Sequence, residues 1–157
     1  MDSFLHDWFP KLKNFKYKET SKATISYNCF AWAAGIDNVN WDPDSHASNR
    51  KSLLYTLSNL PSYWPADAPA KQDVESFLAA YHLIGFTEEA DESLEAGFYK
   101  IAIYASDGIP THAARQLSDG TWTSKLGRSI DIMHEKLEAL ESIRYGSVAK
   151  ILKKQNR

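Results

Sequence analysis

Ser26-Tyr27-Asn28-Cys29-Phe30-Ala31-Trp32-Ala33-Ala34-Gly35 decides how the rest of the chain is read, because it holds the only cysteine. After Cys29 the residues are small or apolar. Gly35 closes the run as a helix C-cap does, since glycine reaches the left-handed conformation without a Cβ clash. The pattern predicts a short buried helix with Cys29 at its first turn, and Thr24 and Ser26 are candidate N-caps. At a helix start, unbonded N–H groups and the positive end of the dipole favour thiolate over thiol, so the expected pKa of Cys29 is low. A cysteine without a partner is otherwise a small core hydrophobe. The partner to look for lies downstream, at Thr111-His112.

The bulk properties narrow the class. The chain has 157 residues, which suits one domain spanning residues 1–157. Its 43% apolar and 24% charged residues are those of an ordinary globular protein. A net charge of −2 supplies no basic field for nucleic acid. One cysteine makes no internal disulfide, and no Cys/His spacing fits a structural zinc site, so no cofactor is implied. The first 18 residues lack the apolar core of a secretion signal. No run approaches the roughly 18 apolar residues of a membrane span. The expected compartment is the cytoplasm, with export by a route needing no N-terminal signal left open.

Residues 1–20 read as an amphipathic lead-in, with Phe4, Leu5, Trp8, Phe9 and Leu12 at helical spacing and Pro10 as the interruption. Residues 36–69 read as a long irregular connection carrying Trp41, Tyr63 and Trp64, with a helical turn or two at 52–60. A connection of that length is either functional or packed by its own aromatics. It is therefore a candidate border of the cleft at Cys29 and a candidate contact for a partner protein. The clearest helix is 71–84, with Val74, Phe77, Leu78, Tyr81 and Leu83 on one face and Gly85 as its stop. Strands are expected at 99–104, 112–117 and 121–125, the last two joined by the Asp119-Gly120 turn. A helix is expected at 131–142 with Ile132, Leu137 and Leu140 inward, and a strand at 148–152.

A cysteine at a helix start, a helical middle, and a sheet whose second strand opens on His112 resemble the layout of papain-like cysteine hydrolases. The closest likeness is to the NlpC/P60-type branch. There the histidine begins a strand, a tight turn follows, and the third residue stands twelve positions on. In this chain that position is Ser124, where the branch usually carries His, Asn, Asp or Gln. Its Asp-Cys-Ser-Gly motif is replaced by Tyr27-Asn28-Cys29-Phe30. Tyr27-Asn28-Cys29-Phe30-Ala31-Trp32-Ala33, Thr111-His112-Ala113-Ala114-Arg115-Gln116 and Trp122-Thr123-Ser124-Lys125-Leu126-Gly127 also resemble a family of small uncharacterised bacterial proteins, over nearly the full length.

The resemblance implies an α+β fold with a papain-like core, the Cys29 helix packed on an antiparallel sheet. It implies Cys29 as nucleophile, His112 as base and acid, and Ser124 as the group that orients the imidazole. Asp131 and His134, at helical i,i+3 spacing, are alternatives for that third place. Asp131 also reads as a helix N-terminal dipole partner. Lys125 should face away from Ser124, as a surface or salt-bridge lysine. His6, His46 and His82 have no evident partners, and neither Ser26 nor Ser124 sits in a nucleophile elbow. The expected activity is hydrolysis of an amide bond in a peptide or protein by a thiol peptidase, amidase or deamidase. The rivals are acyl transfer or transamidation on the same pair, and a non-catalytic immunity or adaptor module that binds through the Trp41–Trp64 loop.

Overall fold

A computed structural model describes residues 3–21, 29–34, 40–41, 43, 62–89, 91–126 and 130–155. Helix α1 (Ser3–Trp8) leads to a 3-10 turn (Pro10–Asn14) and strand β1 (Tyr17–Ser21). Helix α2 (Cys29–Ala33), strands β2 (Asn40–Trp41) and β3 (Ser62–Tyr63), and helix α3 (Val74–Leu83) follow. Then come β4 (Thr87–Glu89), β5 (Phe98–Ser106), β6 (Ile109–Gln116), β7 (Trp122–Lys125) and β8 (Asp131–His134). A second 3-10 turn (Leu137–Leu140) and β9 (Ser147–Gln155) complete the described chain.

Seven strands form one antiparallel sheet in the order β1-β8-β7-β6-β5-β9-β4. The β5–β6 hairpin turns at Asp107 and Gly108, both at positive φ, as its right-handed twist requires. The β6–β7 hairpin turns on the expected Asp-Gly. The Asp119 carboxylate accepts from the Thr121 N–H at 3.0 Å, and Leu117 and Thr121 close the turn at 2.7 Å.

This architecture overturns the expected papain-like α+β core of the NlpC/P60 type. Among the described residues only α3, with ten residues, is a helix of ordinary length, while α2 has five. The fold is sheet-rich. The largest departure is at 131–142. Ile132, Leu137 and Leu140 suit one helical face, but the segment is strand β8, a bend and a 3-10 turn. Partners on both sides decide the matter: β8 pairs with β7 through Ser124↔Ile132 and with β1 through Glu19↔Ile132. Tertiary pairing overrides local periodicity there. The Tyr17–Ser21 strand, read as part of a lead-in, is the edge that makes this possible.

The sheet is covered on both faces. On one face, α1 and both 3-10 turns bury Leu5, Phe9, Leu12, Leu137 and Leu140 against Tyr104, Trp122 and Ile132. The break at Pro10 falls where the sequence placed it. On the other face, α2 and α3 pack with Trp41 and Trp64 on Ile101, Ile103, Ala113 and Leu152. Helix α3 starts on Asp73, whose carboxylate accepts from the Ser76 N–H at 2.8 Å. Removing such a cap costs about 1 kcal/mol. Gly85, at φ +103, ends it.

Trp41 and Trp64 are buried, their rings 6.3 Å apart, and Trp41 lies 5.3 Å from the Tyr81 ring. They fill the core beneath α3 on the face that carries α2. The expected helical turns at 52–60 and the expected caps Thr24 and Ser26 lie outside the described residues, as does Gly35. No helix among the described residues is long and apolar enough to cross a membrane.

Candidate functional site

Cys29 opens α2 and is buried. The β6–β7 ladder holds only Arg115↔Thr123 and Gln116↔Trp122. Ala113 lies beyond its last pair, and its N–H donates to the Cys29 sulfur. The N–H groups of Cys29 and Phe30, at the helix start, also favour the thiolate, as does the Lys125 ammonium. Burial nevertheless outweighs all four and pushes the thiol up to about 11. The low pKa expected of a helix-start cysteine is thus corrected. The donors are in place, but the sulfur is shut away from water and the helix is short.

Lys125 is fully buried beside this thiol. It stands opposite Asp131 across β7 and β8, with Nζ 4.0 Å from the carboxylate. Burial lowers its pKa, and the Asp131 carboxylate, with Cys29 when it is ionised, opposes that shift. Asp131 is therefore not a helix N-terminal group. It is the carboxylate whose charge opposes the effect of burial on Lys125. The expected salt-bridge role of Lys125 holds, and a surface position does not.

His112 points to the opposite side of β6 from Ala113, as neighbours on a strand do. Its ring stacks on Tyr145 with centroids 4.3 Å apart and planes 6° apart, and the tilted Tyr104 ring lies 5.3 Å away. It is fully buried, and among the described residues neither ring nitrogen has a hydrogen-bond partner. The structure thus makes no Cys29–His112 hydrogen bond. Burial first, and the nearby His134 second, hold His112 well below 6.5 and therefore neutral. Leaving one buried polar atom unpaired costs about 1–3 kcal/mol, so two on one ring are conspicuous. Tyr145 ties the two sides together, for its hydroxyl is within electrostatic reach of Cys29 while its ring covers His112.

Ser124 does not orient His112. Its hydroxyl lies 2.7 Å from His134 Nε2, and His134 Nδ1 lies 3.0 Å from the Lys136 carbonyl oxygen. A ring nitrogen facing a carbonyl must carry the proton, so Nδ1–H donates to Lys136, and the Ser124 O–H donates to Nε2. Burial lowers His134 to about 4. Of the alternatives for the third place, Asp131 serves Lys125 and His134 serves Ser124. His6 pairs with the Tyr17 hydroxyl at 2.9 Å and His82 with the Phe86 carbonyl at 3.1 Å, both local ties. His46 and Ser26 lie outside the described residues. No group of three or more His, Cys, Asp or Glu side chains that could hold a metal occurs among the described residues.

Tyr145 escaped sequence reasoning. The available signal was Tyr145-Gly146 just ahead of the last strand. Gly146 sits at φ +72, and a Cβ there would collide with the Ala105 carbonyl oxygen. Only glycine lets this turn lie on β5.

A family model described as a domain of unknown function, DUF7689, matches residues 18–153. The chain belongs to the DUF7689 family. The match runs from β1 into β9, so it spans the whole sheet together with Cys29, His112, Ser124, Lys125 and Asp131. No curated protein and no solved structure matches the chain.

Proposed function

We propose that this protein is a cytoplasmic thiol-dependent hydrolase of amide bonds in peptides or proteins, with Cys29 as nucleophile and His112 as base and acid. One observation carries the reading. At the end of the β6–β7 ladder, Cys29 takes the N–H of Ala113 while His112, the adjacent residue, keeps both ring nitrogens unpartnered on the other side of the strand. A buried imidazole with no partner among the described residues, next in sequence to the residue whose N–H holds the thiol, is a group held in reserve for a proton.

The pair rests as neutral thiol and neutral imidazole. The reading requires the Cys29 proton to pass around β6 to His112 as sulfur attacks the amide carbonyl carbon. The imidazolium then returns that proton to the leaving nitrogen as the C–N bond breaks. Water, deprotonated by His112, releases the acid from the thioester and restores the thiol. Lys125 stabilises the sulfur while it is charged.

A second reading has its own support. A thiol raised to about 11, and a Ser124 hydroxyl committed to His134, suit a non-catalytic binding module. Alkylation of Cys29 by iodoacetamide across pH 6–11 separates the two. A hydrolase gives alkylation at neutral pH that falls severalfold in His112→Gln. A binding module gives one simple rise centred near pH 11, the same in parent and His112→Gln, and that outcome removes the hydrolase.

A further inference from the structure

Tyr145 belongs to the turn 142–146, in which Ser142 and Gly146 bridge the bend. The turn is anchored on several sides. The Tyr145 N–H donates to the Ser142 hydroxyl at 3.1 Å, and the Tyr145 carbonyl accepts from the Thr111 hydroxyl on β6. Gly146 lies flat against Ala105 of β5. Just past the turn, the Val148 N–H donates to the Glu141 carboxylate at 2.9 Å. The Phe9 ring, 5.0 Å away, backs the Tyr145 ring. Such anchoring gives the Tyr145 ring one orientation, and the parallel imidazole shares it.

The polar and titratable groups about His112 are Tyr104 from β5, Tyr145 from the turn, His134 from β8, and Cys29 beyond the strand. Since neither imidazole nitrogen bonds to any of them, hydrogen bonding does not set the ring plane. Ring contact does.

We infer that Tyr145 is a positioning residue for His112, its stacked ring fixing the imidazole plane so that both ring nitrogens stay free at the edge of the stack. The inference rests on the thiol–imidazole reading for its catalytic consequence, though the hold on the ring can be tested without it.

The test uses the full chain with Tyr145→Phe, Tyr145→Leu and Thr111→Val. The His112 imidazole is followed by NMR against pH, with its signal assigned through His112→Gln, and Cys29 alkylation is followed alongside. Tyr145→Phe keeps the stack, so His112 should still titrate well below 6.5 and alkylation should match the parent. Tyr145→Leu removes the stack and opens the site, so the midpoint should climb towards 6.5 and alkylation at neutral pH should fall severalfold. Thr111→Val keeps the ring but loosens its turn, and should move both in the same direction by less. If Tyr145→Leu does not fold, Thr111→Val and Tyr145→Phe decide. An unchanged His112 midpoint in every folded variant overturns the positioning role. A midpoint that moves while alkylation ignores both Tyr145 and His112 supports the hold on the ring and overturns the hydrolase instead.

Discussion

Strands β7 and β8 carry two buried polar pairs that face opposite ways. On the α2 side stand Lys125 and Asp131, an ion pair at 4.0 Å. On the α1 side stand Ser124 and His134, a neutral hydrogen bond at 2.7 Å that continues to the Lys136 carbonyl. The neutral pair satisfies itself in short, directed bonds and holds a fixed role in the core. The ion pair is long, and its ammonium also acts on the Cys29 sulfur. A buried charge shared between two partners responds when one of them changes its charge. The difference leaves the α2 side with a charge that answers to its neighbours and the Ser124–His134 side with a pair closed on itself.

The largest expected effect tests the ion pair. Lys125→Met takes the ammonium away from the buried Asp131 carboxylate and should cost about 3–5 kcal/mol in urea unfolding. Lys125→Met with Asp131→Leu removes both charges and should recover most of that loss. A single-variant cost under about 1 kcal/mol, the range of a solvated pair, would mean that the two charges are not desolvated together.

Much of this arrangement was legible in the sequence, for reasons particular residues make plain. The Asp119-Gly120 turn, the Pro10 break, the 71–84 helix and the last strand were all carried by residues whose backbone preferences act locally. Cys29 at a helix start was legible too. What misled was long-range pairing. Ile132, Leu137 and Leu140 satisfy a helical period, and only the strands on either side of β8 make that segment extended. Once β8 is a strand, Asp131 moves from a helix cap to Lys125, and His134 moves to Ser124. The thiol pKa was misread for a related reason. Helix-end donors can be read from spacing, but the burial that outweighs them depends on the packing of distant elements. His112 was singled out as the first residue of a strand, but β6 begins at Ile109 and His112 is its fourth residue; Tyr145, which covers it, comes from a turn with no periodic signal.

The second effect belongs to His134. Its folded pKa lies near 4 against an ordinary 6.5, so the native state stays neutral while the unfolded chain takes up a proton between those values. The unfolded state binds more protons in that window, so stability rises with pH across it. Stability is therefore fully present above 6.5 and is lost as pH falls to about 4, by at most about 3 kcal/mol for this group. His112, shifted in the same direction, adds to the loss. Urea midpoints from pH 7.5 to 4 should fall in the parent and fall less steeply in His134→Gln. Equal slopes would place the acid sensitivity elsewhere and erase the contrast between the two sides.

The smallest effect is Ser124→Ala. It removes one donor and leaves the His134 Nε2 lone pair buried without a partner, at a cost of about 1–2 kcal/mol. Because Ser124 faces away from Cys29, alkylation of the thiol should keep the parent's rate and pH profile. Adding His134→Leu removes the orphaned nitrogen at Nε2 but leaves the Lys136 carbonyl short of its donor, so the double variant should be no more stable than Ser124→Ala by more than a few tenths of a kcal/mol. The informative readout is the thiol. If Ser124→Ala slows alkylation as much as His112→Gln does, the serine reaches the reacting pair through its histidine. The Ser124–His134 side would then share in the chemistry instead of only bracing the strands that hold Lys125 beside Cys29.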